Sequence, residues 1–198
     1  MQDSGNCYKP RLLMHRLGIP FRLVDTDSRD GSTRTPEFLA LNPTGKVPLL
    51  VLPDGRRLSE SNAMLLHLAE GTRYLPADRY ERALTYQWLF FEQYSHEPYI
   101  AVARSLLHLT PGGRETIAPA RLAELHERGY RALAVMEQRL AESDWLAGGS
   151  YSVADIALYA YTHMAGEGDF DLAAYPRIRA WLARVAAEPG HVGIDWRP

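Results

Sequence analysis

The sequence of 198 residues holds a single cysteine, Cys7, which excludes an internal disulfide framework and any Cys-x-x-Cys redox pair. Its seven histidines show no metal spacing, neither His-Glu-x-x-His nor a pair flanking a carboxylate, so no metal is expected. No apolar run approaches the roughly 20 residues a membrane span needs, and the N-terminus has no signal-peptide core. A cytoplasmic location without membrane contact is the expectation. Strong charge of one sign is also missing: the net charge is −2, divided as +2 over 1–76 and −4 over 77–198. Neither half is basic enough to suggest a nucleic-acid partner. Lysine is scarce, only Lys9 and Lys46 against twenty arginines, which reads as codon bias more than physics. The two survivors are at most weak pointers to ligand contact. The hydrophobic share of 46% and charged share of 23% are those of an ordinary globular chain.

What the sequence does have is concentrated between Asn42 and Ser61. Val47 to Leu52 is a short β-branched and leucine run with Pro48 near its head. Pro53-Asp54-Gly55 reads as a turn and Arg56 to Leu58 as a return strand. A proline there removes one ladder donor, so it belongs at an edge or a special turn. X-Pro is the bond most able to be cis, which makes Val47–Pro48 a candidate cis peptide. Such a kink would leave the backbone N–H and C=O of Val47 to pair with something extended. Glu60 and Ser61 fall where a helix begins, adding N–H groups, a hydroxyl and a carboxylate. The combination suits a small, zwitterionic, peptide-like ligand.

Taken in order, Met1 to Tyr8 is polar and turn-like. Pro10 suits the first turn of a helix that carries Leu12, Leu13 and Leu17 and stops at Gly18. Phe21 to Val24 reads as a strand, Asp25 to Arg34 as a connection and Pro36 to Leu41 as a brief helical turn. A helix from Ser61 to Glu70 is closed by Gly71. That order opens one strand too late, because a helix starting an α/β unit normally follows a strand. The chain is therefore expected to lack most of a first strand. From Tyr74 onward the pattern is helical only. Asp78 to Leu109 carries Leu84, Trp88 and Phe91 at i, i+4, i+7, with a kink expected at Ser95-His96-Glu97-Pro98. Thr110 opens a break. Pro119 to Leu140 follows, with Leu122, Leu125, Leu133, Met136 and Leu140 on one side. Ser152 and Asp155 form a structural capping box. Pro176 begins a last helix with Ile178, Trp181, Leu182 and Val185. The expected organisation is a small α/β domain over 1–76 joined to an all-helical one over 77–198.

Four stretches then carry a resemblance: Ser4-Gly-Asn-Cys-Tyr-Lys-Pro-Arg-Leu-Leu, Pro36-Glu-Phe-Leu-Ala-Leu-Asn-Pro-Thr-Gly-Lys-Val-Pro-Leu-Leu, Leu58-Ser-Glu-Ser-Asn-Ala-Met and Asp144-Trp-Leu-Ala-Gly-Gly-Ser-Tyr-Ser-Val-Ala-Asp-Ile. In this order, ahead of and within a helical second half, they resemble the cytosolic glutathione S-transferase superfamily, in a bacterial form with a serine or asparagine turn. The resemblance implies a thioredoxin-like N-terminal domain, an all-α substrate-binding and dimerisation domain, a homodimer, and glutathione as cosubstrate in detoxification chemistry. It places the cysteinyl backbone of glutathione at Val47 and a cis Pro48, the γ-glutamyl end at Glu60 and Ser61, and the glycyl carboxylate near Lys46. It makes Ser4 the first candidate to activate the thiol, with Asn6 second and Cys7 third. One ammonium, one helix N-terminus and one carboxylate also match the charges of glutathione.

Thiol activation has a ceiling. A free thiol of pKa about 8.5 is roughly 3% ionised at pH 7, so full ionisation gains at most about 30-fold. The accompanying loss of nucleophilicity takes back roughly tenfold. Most of the acceleration must come from holding the thiolate against its partner. Two other readings stay open. One is cis–trans isomerisation of a maleyl-type diacid, for which Ser-Gly-Asn-Cys departs from the Ser-Ser-Cys turn of that class. The other is a glutathione-binding or protein-interaction module without turnover. Cys7 reads as an inert thiol whose place near a helix start would depress its pKa. Lys9, opposing the helix dipole, reads as solvated. Trp88, Phe90, Phe91, Tyr94 and Tyr99 read as core plus one wall of an apolar substrate site, and Glu92 and Gln93 as candidates to reach across a dimer.

Overall fold

In a computed structural model that describes residues 1–198, the chain divides into one unit of Met1–Gly71 with Pro189–Pro198 and a second of Thr72–Glu188. The last ten residues thus lie with the first unit, whereas the sequence grouped all of 77–198 with the helices.

The first unit opens with α1 (Gly5–Arg16), for which Ser4 in extended backbone is the N-cap, accepting the N–H of Cys7 at 3.3 Å. Pro10 therefore lies inside the helix and not in its first turn, and one ladder donor is missing there. Tyr8, Leu12, Leu13 and Met14 are buried, and α1 packs against α3 (Ser61–Ala69), which contributes Met64, Leu65 and Ala69. Between them lie α2 (Pro36–Leu41), capped by Thr35, and a hairpin of β1 (Leu49–Val51) and β2 (Arg57–Ser59). The hairpin is antiparallel, with Leu50 opposite Leu58. Its turn is closed by the Gly55 N–H donating to Leu52 O at 2.9 Å, and Gly55 takes the left-handed φ of 85° that this turn demands.

Residues 21–24 are not a strand. The sheet has two strands, none precedes α1, and a segment with strand-like composition but no neighbour has no ladder to join. Val24 is 60% exposed, and the Phe21 ring lies 6.2 Å from that of Trp196. That tryptophan belongs to the C-terminal tail, which lies along α1 and is held largely by its backbone carbonyls. Tyr8 Oη donates to Val192 O at 2.6 Å. Gln2 Nε2 donates to Ile194 O at 2.7 Å and to Trp196 O at 2.9 Å. Arg11, buried, donates to both Gln2 O and Ile194 O at 2.9 Å.

The second unit is helical throughout: α4 (Arg79–Phe91), α5 (Glu97–Arg104), α6 (Gly113–Thr116), α7 (Pro119–Glu142), α8 (Val153–Thr162) and α9 (Pro176–Ala187). The kink expected before Pro98 is a π-helical turn, Glu92–His96, joining α4 to α5, and a second such turn, Ser105–Leu109, ends α5. His96 is buried at the first of them, its Nε2 lying 2.9 Å from Thr162 Oγ1 on α8. Thr162 gives its own proton to Leu158 O at 2.7 Å, so the histidine nitrogen is the donor. The core is α8, buried along its whole length, with Leu125, Leu133, Met136, Ile178, Trp181 and Val185 packed in the same unit.

Candidate functional site

The turn from Asn42 to Pro48 is built around one buried amide. Asn42 donates Nδ2 to Lys46 O at 2.8 Å, while its Oδ1 accepts the Thr44 hydroxyl at 3.0 Å. Gly45 sits at φ 61°, the left-handed region that favours glycine, and a Cβ there would press on the Thr33 carbonyl at 3.0 Å. The Val47–Pro48 peptide that follows is cis. Lys46 carries its ammonium on the surface, and Val47 and Pro48 are half-buried. Sequence reasoning gave Asn42 no role, although Asn-Pro-x-Gly carries the signature of a side chain that imitates a backbone turn.

Glu60 precedes α3 with φ 68° and ψ 112°, a region where a non-glycine residue stores about 1–3 kcal/mol. Its carbonyl still accepts the Met64 N–H at 3.0 Å, and its side chain is exposed and makes no cap bond to the helix. Ser61, the first helical residue, is buried.

Beneath Ser61 lies the feature the sequence did not disclose. Lys9, read as solvated, is fully buried. Its Nζ donates to Asn6 Oδ1 at 2.8 Å, and reaches Ser61 Oγ and Asn62 Oδ1 at 3.4 Å each. Ser61 Oγ in turn donates to Asn6 Oδ1 at 3.0 Å. The cost of opposing the helix dipole is small beside three acceptors that a compact ammonium can serve at once. The signal available in the sequence was the i, i+3 spacing of Asn6 and Lys9.

At the head of α1, Ser4 is buried, and its hydroxyl serves both the Cys7 N–H and the Cys7 side chain. Burial pushes the Cys7 thiol up, against the pull of the Ser4 hydrogen bond, the chain's amino terminus and Arg11. The depressed thiol expected at a helix start is therefore not what forms, because desolvation outweighs the favourable charges. Ser4, Asn6 and Cys7 thus share the first turn of α1, and Asn6 alone of the three is bonded to Ser61.

In the second unit the aromatic residues separate. Trp88 is buried, Phe90 is exposed and Tyr94 is 84% exposed. Phe91, Tyr94 and Tyr99 line a cavity of about 250 Å³ with Arg128, Ala132 and Val135. Glu92 is buried and takes a hydrogen bond from Gln93 at 2.8 Å. No group of three or more histidine, cysteine or acidic side chains is placed to hold a metal ion, and no helix is long and apolar enough to cross a membrane.

A cis-proline turn after a short helix, a serine-capped first helix and a wholly helical second unit define a two-unit class of protein built on a small α/β unit. Comparison with known proteins agrees. Residues 3–70 match the family model for the glutathione S-transferase N-terminal domain and residues 82–189 the model for its C-terminal domain. The disulfide-bond oxidoreductase YfcG of Escherichia coli is 34% identical over 94% of this chain and 88% of its own. A crystal structure described as a possible glutathione S-transferase from Rhodopseudomonas palustris superposes with a TM-score of 0.96 at 49% identity, covering 100% of this chain and 89% of that one. A Burkholderia graminis glutathione transferase, solved with two glutathione molecules bound per subunit, is 27% identical, with a TM-score of 0.82 over 95% of this chain and 82% of its own. The chain belongs to the glutathione S-transferase family. Its fold is the one the resemblance implied: a thioredoxin-like N-terminal unit with a small antiparallel sheet, and a helical C-terminal domain.

Proposed function

We propose that the first unit binds glutathione and presents its thiol to small electrophilic compounds, in a detoxifying transferase or reductase. The observation that carries this reading is the bonded group at the start of α3, where Lys9, Asn6 and Ser61 converge. Donors there suit the γ-glutamyl carboxylate, with the Glu60 carboxylate for its ammonium. The cysteinyl backbone pairs with Val47 beside Pro48, and the exposed Lys46 takes the glycyl carboxylate. Ser4 and Asn6 are the donors offered to the sulfur. Cys7, a neutral thiol facing Ser4, stays in the turn as packing.

Between conjugation and reduction, the similarity to a disulfide-bond oxidoreductase and to a protein holding two glutathiones supports the reductive form as a second reading. In it a glutathione thiolate attacks a substrate disulfide and expels one thiol. A second glutathione thiolate then resolves the mixed disulfide, releasing the other substrate thiol and leaving oxidised glutathione. No external oxidant is required.

Calorimetric titration with glutathione, followed by a panel of an aryl halide, a hydroperoxide, a maleyl diacid and a small disulfide, tests both. Saturable binding is expected, with turnover of the disulfide or the aryl halide. Binding without turnover of any of the four would leave a glutathione-binding module, and absence of binding would overturn the reading. Ser4→Ala is expected to lower turnover several-fold near pH 6.5 and less near pH 9, where the thiol ionises unaided; an equal loss at both would remove Ser4 from thiolate stabilisation. The working assembly is proposed to be a homodimer, which light scattering would report as twice the chain mass.

A further inference from the structure

We propose that Lys9 is a positioning residue that fixes which arm of the Asn6 amide faces the ligand and makes the Ser61 hydroxyl a donor. The inference rests on the glutathione reading above. An ammonium group only donates. The Asn6 atom 2.8 Å from Lys9 Nζ is therefore the amide oxygen, since turning the amide over would set its NH₂ against the ammonium. The same oxygen receives the Ser61 hydroxyl at 3.0 Å. Two donors from one side thus hold Oδ1, and the Nδ2 arm diverges from them. Asn6 is half-exposed and Lys9 fully buried, so it is the amide and not the ammonium that has access to a bound ligand.

The same ammonium polarises Ser61. With Lys9 donating to Oγ at 3.4 Å, the serine proton must be given elsewhere. It goes to Asn6 Oδ1 when no ligand is bound, and is free to turn toward an acceptor when one arrives. Lys9 then keeps its own bond to Asn6 Oδ1, so the amide does not turn over when Ser61 leaves it. The pair offers two donors, Nδ2–H and Oγ–H, which select anionic acceptors: a thiolate at one and a carboxylate at the other. Arginine would not substitute, because a planar fork cannot serve three acceptors gathered around one point.

The test uses the full chain and compares Lys9→Met, which keeps the length and removes the donors, with Asn6→Asp. The latter keeps an oxygen toward Lys9 and replaces the NH₂ arm by a second oxygen. The readouts are the pKa of the bound glutathione thiol, followed by thiolate absorbance, and glutathione affinity by calorimetry. In the wild type the bound thiol should titrate below the free value of about 8.5. Both variants should return it toward that value and slow turnover near pH 6.5 by about five- to tenfold, with turnover recovering near pH 9 and affinity falling less than tenfold. A merely structural tie between Lys9 and Asn6 would survive in Asn6→Asp and leave the thiol pKa unmoved. An unchanged thiol pKa in either variant overturns the inference. If Lys9→Met does not fold, the thiol pKa in Asn6→Asp decides alone. A wild type that binds glutathione without lowering its thiol pKa also overturns the inference, and leaves the glutathione site standing. A wild type that binds no glutathione overturns both.

Discussion

Asp155 is the residue on which three distant pieces of the second unit depend. Its Oδ1 accepts the Leu146 N–H at 3.0 Å and Trp181 Nε1–H at 2.9 Å, while Oδ2 takes the Ser152 N–H at 3.0 Å and the Ser152 hydroxyl at 3.3 Å. Complete burial pushes its carboxyl up to about 6, with those four donors restraining the rise. The folded chain therefore binds this proton more tightly than the unfolded one. The associated stability is fully present below the unfolded value of 3.8 and disappears as pH climbs through about 6. Urea titration should show the wild type gaining about 1.4 kcal/mol relative to Asp155→Asn between about pH 7.5 and pH 5. A difference that does not change with pH would contradict the shift. Asp155→Ala should cost about 3–5 kcal/mol at either pH, since it strands buried donors. Half of this arrangement was legible in advance, because Ser152 and Asp155 are three residues apart. Trp181 and Leu146 were not, because nothing local links a tryptophan to a carboxylate 26 positions earlier.

Among the elements, periodicity named the long helices and misjudged what joins them. Leu125, Leu133, Met136 and Leu140 identify the buried side of α7, yet a close approach on that helix falls at Gly129, which has no side chain to reveal it. A Cβ there would stand 2.4 Å from the Phe170 ring and 3.3 Å from Ile100 on α5. Phe170 has little room to retreat, being buried between His126 and Tyr130 at ring separations of 5.0 and 5.1 Å. In an open helix Gly→Ala gains about 1 kcal/mol. Here Gly129→Ala should instead destabilise by about 1–3 kcal/mol and lower the melting temperature by several degrees. An unchanged or raised melting temperature would show that the ring yields. The strand assigned to residues 21–24 failed for a related reason. Strand propensity describes a surface that fits a neighbour, and the sequence of one segment does not say whether the neighbour exists.

For the whole molecule, the least legible part was the tail. Its acceptors, Val192 O, Ile194 O and Trp196 O, are backbone atoms that no side-chain pattern reports. Their donors sit on Gln2, Tyr8 and Arg11, on either side of the turn that carries Ser4 and Asn6. Removing 190–198 should leave the helical signal of Thr72–Glu188 in place while weakening glutathione binding at least tenfold and opening the α1 amides to hydrogen exchange. Protection of α1 equal to that of the full chain would show the tail to be dispensable.

The first unit is therefore interrupted in sequence by the second. On the ribosome its opening 71 residues emerge early, but the carbonyls of Val192, Ile194 and Trp196 that fasten α1 come only after the whole of Thr72–Glu188. The helical unit, contiguous from Thr72 to Glu188, has all of its partners before the first unit has its own. Completion of the first unit thus waits for a segment that is made after the whole of the helical unit.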